Sequence, residues 1–433
     1  MKVAFYTLGC KVNQYETEAM REAFAAAGHT PVTDDAPFDA VVINSCTVTA
    51  ESDRKTRQTV RRFRRERPDA IIILTGCMVQ AFSDEAQALS EADIIAGNTD
   101  VKKIVEYAQK FALDGERIFV AQKHEKKERF NTPILNAFAE RTRAYMKIED
   151  GCERYCTYCI IPTARGFVRS KPLEDIKAES RGLANAGFSE IVLVGINLTS
   201  YGKGENVDLC DAVEAAAAAD GIKRVRLGSL EPDHMSDEML ERLSRQKKFC
   251  PQFHLSLQSG CDETLKRMNR HYDTAFYRDL VLRIRKTFKN AAVTTDVMVG
   301  FAGESEEEFN KSLNFVKEIG FAKVHIFAYS RRKGTVAYGL KNQVTRAEKA
   351  RRSHIMSEAA ACTEKEFLES EIGNVFPVLF ETGTNGYAEG YTPNYSRVKV
   401  KCDEDLCGKI INVKITAAEN DYCIGEIAGE VSL

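Results

Sequence analysis

Short apolar runs alternate with stretches of helical periodicity through most of this 433-residue chain. Up to about residue 110 the apolar runs are VAFYTL, AVVINSC, AIIILTGC and DIIAG, and each precedes a stretch with helical spacing of its apolar residues. Buried runs that alternate with helices are typical of βαβ units, whose strands form a parallel sheet. Residues 1–110 are therefore predicted to form an α/β domain, and the polar residues 111–143 a linker.

The alternation resumes six times in the middle of the chain. The strand-like runs there are AYMKIE, IVLVG, RVRLGS, FHLSLQ, AVTTDVMVG and KVHIFAY. Six consecutive strand–helix units predict a partial (β/α)6 barrel, in which functional residues lie at the C-terminal ends of the strands. This domain is predicted to span residues 144–372, with a charged helix at its end.

The C-terminal part has a different pattern, with short strand-like runs such as VFPVLFE and GKIINVKIT around Gly and Asn turns. This pattern predicts a small β-barrel over residues 373–433. The predicted fold class is thus α/β with three domains, which agrees with a typical length of about 150 residues per domain.

Composition narrows the class of protein. Hydrophobic residues make up 44% and charged residues 29% of the chain, as in ordinary globular proteins. No run of about 18 apolar residues is present, and the N-terminus lacks the apolar core of a signal peptide. A cytoplasmic protein with no membrane partner is therefore expected. In that compartment the thirteen cysteines are expected to be metal ligands or buried small side chains rather than disulfides.

Three cysteines lie close together just after the first predicted barrel strand. Cys152, Cys156 and Cys159 have the spacing C-x3-C-x2-C. Iron–sulfur cubanes and structural zinc sites normally take four protein ligands, so three ligands in one loop predict a metal site with an open position. The alternative is a zinc site completed by a distant His or Cys, but the seven histidines do not cluster with these cysteines in the sequence.

Three further cysteines each follow a predicted strand of the first domain. Cys10, Cys46 and Cys77 are separated by 36 and 31 residues. In an open parallel sheet, ligands bind beyond the carboxyl ends of the strands, so these thiols are predicted to meet at one edge as a second metal site. The alternative is three buried structural cysteines, for which positions in the middle of the strands would be expected.

The C-x3-C-x2-C triad after the first strand of a partial barrel resembles the signature of radical S-adenosylmethionine enzymes. With the upstream triad and the C-terminal module, which resembles a TRAM domain, the whole chain resembles the methylthiotransferases of that superfamily. The motifs that carry the resemblance are GCKVNQYETE, GCERYCTYCIIPTARGFVRS, HLSLQSGCDETLKRMNRHY, TTDVMVGFAGESEEEF and GYTPNYSRVKV.

The segment GCKVNQYET resembles the branch that modifies N6-threonylcarbamoyladenosine next to the tRNA anticodon. The branches that act on isopentenyladenosine in tRNA or on an aspartate of a ribosomal protein remain alternatives. A non-catalytic, zinc-bearing RNA-binding protein is an alternative from another class.

The resemblance implies two 4Fe-4S clusters, one on each triad, and S-adenosyl-L-methionine as cofactor. It implies that the second triad's cluster cleaves this cofactor to a 5′-deoxyadenosyl radical. The first triad's cluster carries the sulfur that is methylated and inserted at C2 of the adenine. The implied partners are the anticodon stem-loop of tRNA and an electron donor such as flavodoxin or ferredoxin.

Residues at the barrel strand ends are the candidate contacts of S-adenosylmethionine. Glu231 is suited to ribose hydroxyls and Arg270 to a carboxylate, although Arg270 and Asp296 would alternatively pair with each other or with neighbours. The family usually has proline where this chain has Ala302, and loss of the fixed proline φ predicts a looser loop and weaker cofactor binding. The candidates are Tyr158, Gly195, Asn197, Ser229, Glu231, Gln258, Arg270 and Asp296.

Local basic stretches are the candidate RNA contacts, because a formal net charge of −2 gives no overall attraction to nucleic acid. The run RKTRQTVRRFRRER is the most basic, although a solvated helix surface is the usual meaning of such a run. Two tyrosines of YTPNYSRVKVK would stack on bases or pack into the barrel, and packing is expected for one of Tyr391 and Tyr395. The predicted RNA contacts are Arg61, Arg62, Arg64, Arg65, Arg331, Arg332, Lys333, Arg397 and Lys399.

Overall fold

The first domain is a parallel sheet with helices on both faces, as predicted. The computed structural model describes residues 1–99, 103–126, 128–135, 142–384 and 386–430. The elements of this domain are β1 (Lys2–Thr7), α1 (Lys11–Ala26), β2 (Thr30–Val32), β3 (Ala40–Ser45), α2 (Ala50–Glu66), β4 (Ile71–Gly76), α3 (Cys77–Ala81), α4 (Ser83–Gln87), β5 (Ile94–Ala96), α5 (Lys103–Asp114) and β6 (Ile118–Val120). The strand order is β2-β1-β3-β4-β5-β6. Every residue of β3 is buried, as expected for a central strand covered on both faces.

The sheet extends further along the chain than the pattern of the sequence indicated. Strand β6 pairs with β5 in parallel, with Ile94 opposite Ile118, inside the range predicted to be a linker. Residues 127 and 136–141 of that predicted linker lie outside the described residues. A three-residue strand has too short a pattern to be recognised, and its sheet partner stabilises it.

The central domain is the predicted partial barrel of six parallel units. Its barrel strands form two parallel sheets, β11-β10-β7 and β12-β13-β14-β15, and Gly228 separates β11 from β12. The short strands β8 and β9 pair antiparallel outside these sheets. The elements are β7 (Ala144–Lys147), β8 (Glu149–Asp150), α6 (Ile161–Arg165), β9 (Arg169–Ser170), α7 (Leu173–Asn185), β10 (Glu190–Val194), α8 (Leu209–Ala217), β11 (Arg224–Leu227), β12 (Ser229–Leu230), α9 (Asp237–Arg245), β13 (Gln252–Leu255), α10 (Asp262–Arg267), α11 (Thr274–Thr287), β14 (Ala292–Val299), α12 (Glu306–Ile319), β15 (Lys323–Ala328) and α13 (Arg346–Glu369). Within the described residues, no helix is long and apolar enough to cross a membrane.

The C-terminal module is a closed barrel, again as predicted, with strand order β16-β17-β18-β20-β19. Two arginines of β11 join it to the central domain. Arg224 donates to Tyr391 O at 3.1 Å and Arg226 to Pro393 O at 2.8 Å, and Glu190 is a partner of both guanidinium groups. The strands are β16 (Val375–Thr384), β17 (Tyr387–Tyr391), β18 (Arg397–Lys401), β19 (Ile410–Ala418) and β20 (Cys423–Glu430).

Buried ion pairs join the first domain to the central barrel. Lys147 Nζ lies 2.7 Å from Glu16 Oε1, and Arg332 Nη2 lies 2.6 Å from Asp53 Oδ2. Removing one member of a buried pair is strongly destabilising, so such pairs require a defined geometry. The contacts place the carboxyl edge of the first sheet against the strand ends of the barrel, and both cysteine triads lie in this region.

Candidate active site

The first cysteine triad lies at one edge of the parallel sheet. Cys10 directly precedes α1, Cys46 directly follows β3, and Cys77 begins α3. Because β1, β3 and β4 are neighbours in the sheet, the three cysteines lie at the same edge of it. Gly9 has a φ of +119°, and a Cβ on it would lie 3.0 Å from Cys46 Cβ, so the loop before Cys10 passes directly against Cys46.

A buried arginine connects the two triads. Arg165 Nε donates to Cys77 Sγ at 3.2 Å, and Arg165 Nη2 donates to Glu16 Oε2 at 3.0 Å. Arg165 ends α6, the helix that follows Cys159. Burial raises the pKa of Cys77 to about 12, Arg165 opposes that rise, and Cys46 and Cys10 add to it. The mutual effect of the three thiols agrees with their positions at one edge of the sheet, and Arg165 is the group that favours a thiolate there.

The second triad occupies a loop beyond the first barrel strand. Cys152 N donates to Gly166 O at 3.0 Å, and Cys156 Sγ accepts from Arg270 Nη1 at 3.1 Å. Tyr155 has a φ of +51°, which turns the chain between the cysteines. Burial raises the pKa values of Cys152 and Cys159 to about 12, and Cys156 raises both further. The three thiols are therefore neighbours in the folded protein.

The eight residues predicted to contact the cofactor lie in the barrel strands, in the loops after them, or after α10. Arg270 donates to Glu231 and, at 2.9 Å, to the Tyr272 hydroxyl, while Asp296 lies 3.3 Å from His254 Nε2. Both side chains are thus paired with neighbours in this structure, as in the alternative considered for them. The remaining positions are Tyr158 between two cysteines, Gly195 and Asn197 after β10, Ser229 in β12, and Gln258 after β13 with a φ of +68°.

Glu149, which lies three residues before Cys152, was not among the site residues predicted from the sequence. Its side chain is fully buried, Oε2 accepts from Asn197 N at 2.7 Å, and Oε1 has no hydrogen-bond partner among the described residues. Burial raises the pKa of Glu149 to about 8, which favours the protonated carboxyl group. Oε1 is the oxygen that remains available to a ligand. The sequence could have indicated this residue through the acidic side chain at the end of the strand-like run AYMKIE.

A cavity of about 650 Å³ lies where the three domains meet. The first domain contributes Cys10 and Lys11, and the C-terminal barrel contributes Tyr391, Tyr395 and Arg397. One space therefore reaches from Cys10 of the first triad to three of the eight predicted cofactor residues. The sequence contained no signal for Lys11, His254 or His325 as lining residues. The barrel residues that line it include Gly195, Ser229, His254, Asp296 and His325.

Comparison with known proteins agrees with this arrangement. Residues 2–97 match the family described as Uncharacterized protein family UPF0004, and residues 146–316 match the Radical SAM superfamily. The chain is 39% identical to Threonylcarbamoyladenosine tRNA methylthiotransferase MtaB of Bacillus subtilis, over 98% of this chain and 96% of that protein. It is 33% identical to tRNA-2-methylthio-N(6)-dimethylallyladenosine synthase of Clostridium botulinum, over 97% of this chain and 95% of that protein.

The chain belongs to the radical S-adenosylmethionine methylthiotransferases. It is an enzyme of that family, and its cofactors are S-adenosylmethionine and the [4Fe–4S] cluster. A solved structure of the radical S-adenosylmethionine methyltransferase TsrM from Kitasatospora setae shares the fold with a TM-score of 0.59 at 13% identity, covering 78% of this chain and 76% of that one. The predicted family and the predicted class of enzyme are confirmed.

The donor atoms of the methylthiotransferase fit these cofactors. Soft thiolates suit iron–sulfur clusters, and each cysteine of a cubane binds a different iron. Among the described residues, no three His, Cys, Asp or Glu side chains lie close enough together to hold one ion. The unpartnered Glu149 Oε1 is a polar atom that a bound ligand would satisfy.

The loop with alanine in place of the family's proline is held by an ion pair. Glu304 Oε2 accepts from Gly300 N at 2.6 Å and from Arg352 Nη1 at 2.7 Å. Ala302 is 1% exposed and packs in a small cluster with Phe301. These contacts brace the loop without the fixed φ of proline. Weaker cofactor binding caused by Ala302 stays a prediction.

The predicted RNA contacts differ in exposure. Arg61, Arg65, Arg331 and Lys333 are exposed, and two of them also have partners: Arg61 pairs with Glu91 at 3.0 Å, and Arg331 Nε donates to Tyr338 O at 2.8 Å. Arg332 is buried against Asp53. The other four also have partners inside the protein. Arg62 lies over the Phe63 ring, 4.5 Å from its centroid, and Arg64 pairs with Asp93 at 2.6 Å. Arg397 and Lys399 pair with Glu389 at 2.5 and 2.9 Å.

The two tyrosines of the C-terminal barrel stack on each other. The ring centroids of Tyr391 and Tyr395 are 4.7 Å apart, with an angle of 18° between the planes. Arg143 lies over both rings, at 5.0 and 4.9 Å from their centroids. Packing thus involves both tyrosines, and both also line the cavity.

Replacing Gly195 with alanine is expected to weaken S-adenosylmethionine binding about tenfold or more. The new Cβ would lie 2.6 Å from Glu149 Oε2 and 3.0 Å from Glu149 Cβ, so the buried carboxyl group must move. Overpacking of this kind costs about 1–3 kcal/mol, and about 1.4 kcal/mol corresponds to a tenfold change in affinity. Equilibrium dialysis of the reconstituted enzyme with the cofactor measures this. Gly339→Ala is the control, since a Cβ there meets nothing within 4 Å, and equal affinities of the two variants would contradict the prediction.

Proposed function

We propose that this enzyme methylthiolates C2 of N6-threonylcarbamoyladenosine next to the tRNA anticodon, giving 2-methylthio-N6-threonylcarbamoyladenosine. The observation that carries the proposal is the single cavity lined both by Cys10 of the first triad and by the barrel strand ends that follow the second triad. A base in that cavity would face both sites. The relatives named for threonylcarbamoyladenosine, at up to 39% identity, support this substrate over dimethylallyladenosine, at 33%.

Two [4Fe–4S] clusters are part of the proposal. Cys152, Cys156 and Cys159 would hold one, and Cys10, Cys46 and Cys77 the other. When bound, the clusters and S-adenosylmethionine supply the radical that removes the hydrogen at C2 and the methylthio group that replaces it. Iron and sulfide analysis of anaerobically reconstituted protein is expected to give about eight irons per chain, four for each cubane. One or two zinc ions in their place would contradict the proposal.

The protein's own residues hold and orient the reactants. Glu149 offers Oε1 to a ligand beside the end of β10. Arg270 joins Cys156 to Glu231 and therefore positions a cysteine ligand relative to the third barrel strand. Arg165 does the same between Cys77 and the helix after the second triad. These contacts tie each triad to neighbouring elements, where the first domain packs against the barrel.

The tRNA is proposed to bind through the exposed basic residues Arg61, Arg65, Arg331 and Lys333. Lysine and arginine neutralise phosphates, so affinity is expected to fall as salt rises. We include Arg397, which lines the cavity, and Lys399 on the same strand. We leave out Arg64, whose guanidinium is held by Asp93 and three backbone carbonyls, and Arg332, which is buried against Asp53. The electron donor is proposed to be a flavodoxin or ferredoxin, in the cytoplasm with the tRNA.

Quantifying modified nucleosides tests the substrate. Total tRNA from cells lacking this protein is digested and analysed by mass spectrometry, beside cells complemented with the wild type or with Cys156→Ala. Selective loss of 2-methylthio-N6-threonylcarbamoyladenosine, restored by the wild type only, is the expected result. Loss of the methylthio form of isopentenyladenosine would move the substrate to that branch. If the tRNA nucleosides are unchanged, the substrate proposed here is wrong, and an aspartate of a ribosomal protein becomes the next candidate substrate.

A further inference from the structure

Lys11 occupies a distinctive place at the centre of the site. It follows Cys10 directly and is the first residue of α1. It lines the cavity, and its ammonium lies 5.9 Å from the centroid of the Tyr145 ring on strand β7. The side chain therefore extends from the first domain toward the barrel, across the space in which the first triad faces the cofactor residues.

The other strongly charged side chains that line the cavity have partners. Arg226 Nε lies 2.8 Å from Glu190, and Lys323 Nζ lies 2.8 Å from Glu364. Arg397 pairs with Glu389 and, at 3.5 Å, with Asp421. The third acidic lining residue, Asp296, lies 3.3 Å from His254.

Lys11 is the exception to this pairing. Within the part of the chain that the structure describes, it is the one lysine or arginine lining the cavity that has no carboxylate partner. Lys11 therefore places an ammonium group in the cavity, next to Cys10, that is paired with no lining carboxylate. A cation in a confined space lined by protein favours an anionic group of a ligand.

The proposed substrate carries such a group. The N6-threonylcarbamoyl substituent ends in a carboxylate, whereas a dimethylallyl substituent is neutral and apolar. C2 and C6 of adenine flank the same ring nitrogen, so a base that presents C2 to the first triad holds its N6 substituent close to that triad. We propose that Lys11 binds the carboxylate of the N6-threonylcarbamoyl group and selects this substrate over nucleosides with a neutral N6 substituent. This inference rests on the proposed function.

Two anticodon stem-loop RNAs that differ in one group test the inference. One carries N6-threonylcarbamoyladenosine, and the other carries the analogue in which a hydroxymethyl group replaces the carboxylate. Fluorescence anisotropy with the cluster-free full-length protein measures both dissociation constants for the wild type, Lys11→Gln and Lys11→Arg. Lys11→Gln is expected to weaken binding of the carboxylate RNA about tenfold, as for the loss of roughly 1.4 kcal/mol, and to leave binding of the neutral RNA unchanged. Lys11→Arg is expected to retain the preference for the carboxylate RNA.

The double variant Lys323→Gln/Glu364→Gln is the matched control, because it removes a lysine of the same cavity together with its carboxylate partner and so leaves the net charge unchanged. This variant is expected to leave the ratio of the two dissociation constants at the wild-type value. Equal weakening of both RNAs by Lys11→Gln would assign Lys11 to a phosphate and overturn the inference. Unchanged binding of both RNAs, or a wild type without preference for the carboxylate RNA, would also overturn it.

Turnover by the reconstituted enzyme separates this inference from the proposed function. If the wild type leaves the carboxylate RNA unmodified and modifies one with isopentenyladenosine, the proposed function fails. If the wild type modifies the carboxylate RNA and Lys11→Gln does so with unchanged kcat/KM, only the inference about Lys11 fails. A lower kcat/KM for the carboxylate RNA alone is the expected result. Iron content and thermal unfolding of each variant are measured in parallel, so that loss of cluster or fold is recognised directly.

Discussion

Replacing Cys156 with alanine is expected to abolish cleavage of S-adenosylmethionine, whereas replacing Cys46 is expected to preserve cleavage and abolish the methylthiolated nucleoside. The two cysteines belong to separate triads, one in the barrel loop and one at the edge of the first sheet. Cys156 also accepts a hydrogen bond from Arg270, which contacts Glu231. Mass spectrometry of 5′-deoxyadenosine and of the product nucleoside, from anaerobically reconstituted enzyme, measures the two steps separately.

A buried cysteine outside both triads provides the matched control. Cys210 lies in α8 and is 1% exposed, so Cys210→Ala removes a thiol of similar burial without touching either triad. This variant is expected to form both products. Normal product formation by the Cys46 variant would refute the assignment of the first triad, and normal cofactor cleavage by the Cys156 variant would refute that of the second.

Replacing Arg165 with methionine is expected to lower the free energy of unfolding by about 3–5 kcal/mol, the range for breaking a buried ion pair. Arg165 is fully buried, and its guanidinium contacts Glu16, whose carboxylate is also buried. Lys147 would remain beside Glu16, but Lys147 Nζ also lies 2.7 Å from Asp150 Oδ2, so two carboxylates would share one lysine. Urea unfolding of the cluster-free protein measures the change as a lower midpoint.

An exposed ion pair provides the comparison for this loss of stability. Arg54 and Glu51 pair on the surface of α2, with side chains 53% and 52% exposed. Arg54→Met is expected to cost less than about 1 kcal/mol, because exposed pairs contribute little. Adding Glu16→Gln to Arg165→Met is expected to recover part of the lost stability, since the unpaired charge is removed. If the Arg165 and Arg54 variants unfold at the same midpoint, the buried network is not a main source of stability.

Most of the fold could be predicted because its signals are local. Each apolar run that became a barrel strand lies within a few residues of its predicted position, from β7 to β15. Strand β6 was missed because three residues are too few to show a pattern, and the break at Gly228 was missed because it depends on how two sheets meet. The boundaries of the predicted domains stay predictions.

The same distinction applies to the site. The two cysteine triads were recognisable because three cysteines lie close after strands of the first domain and three share one short loop, and both features are set by the nearby sequence. Arg332 looked like an RNA contact, and only the packing of the domains paired it with Asp53, 279 residues earlier in the chain. Lys11 lines the same cavity as His254 and His325 for the same reason, since contacts between domains bring α1 against the barrel. The sequence by itself therefore determined the three domains, the family and the candidate metal ligands. Only the tertiary structure decided which charges are neutralised inside the protein and which, like Lys11, remain for a ligand, because the partner of a charged side chain depends on surfaces that meet only in the folded chain.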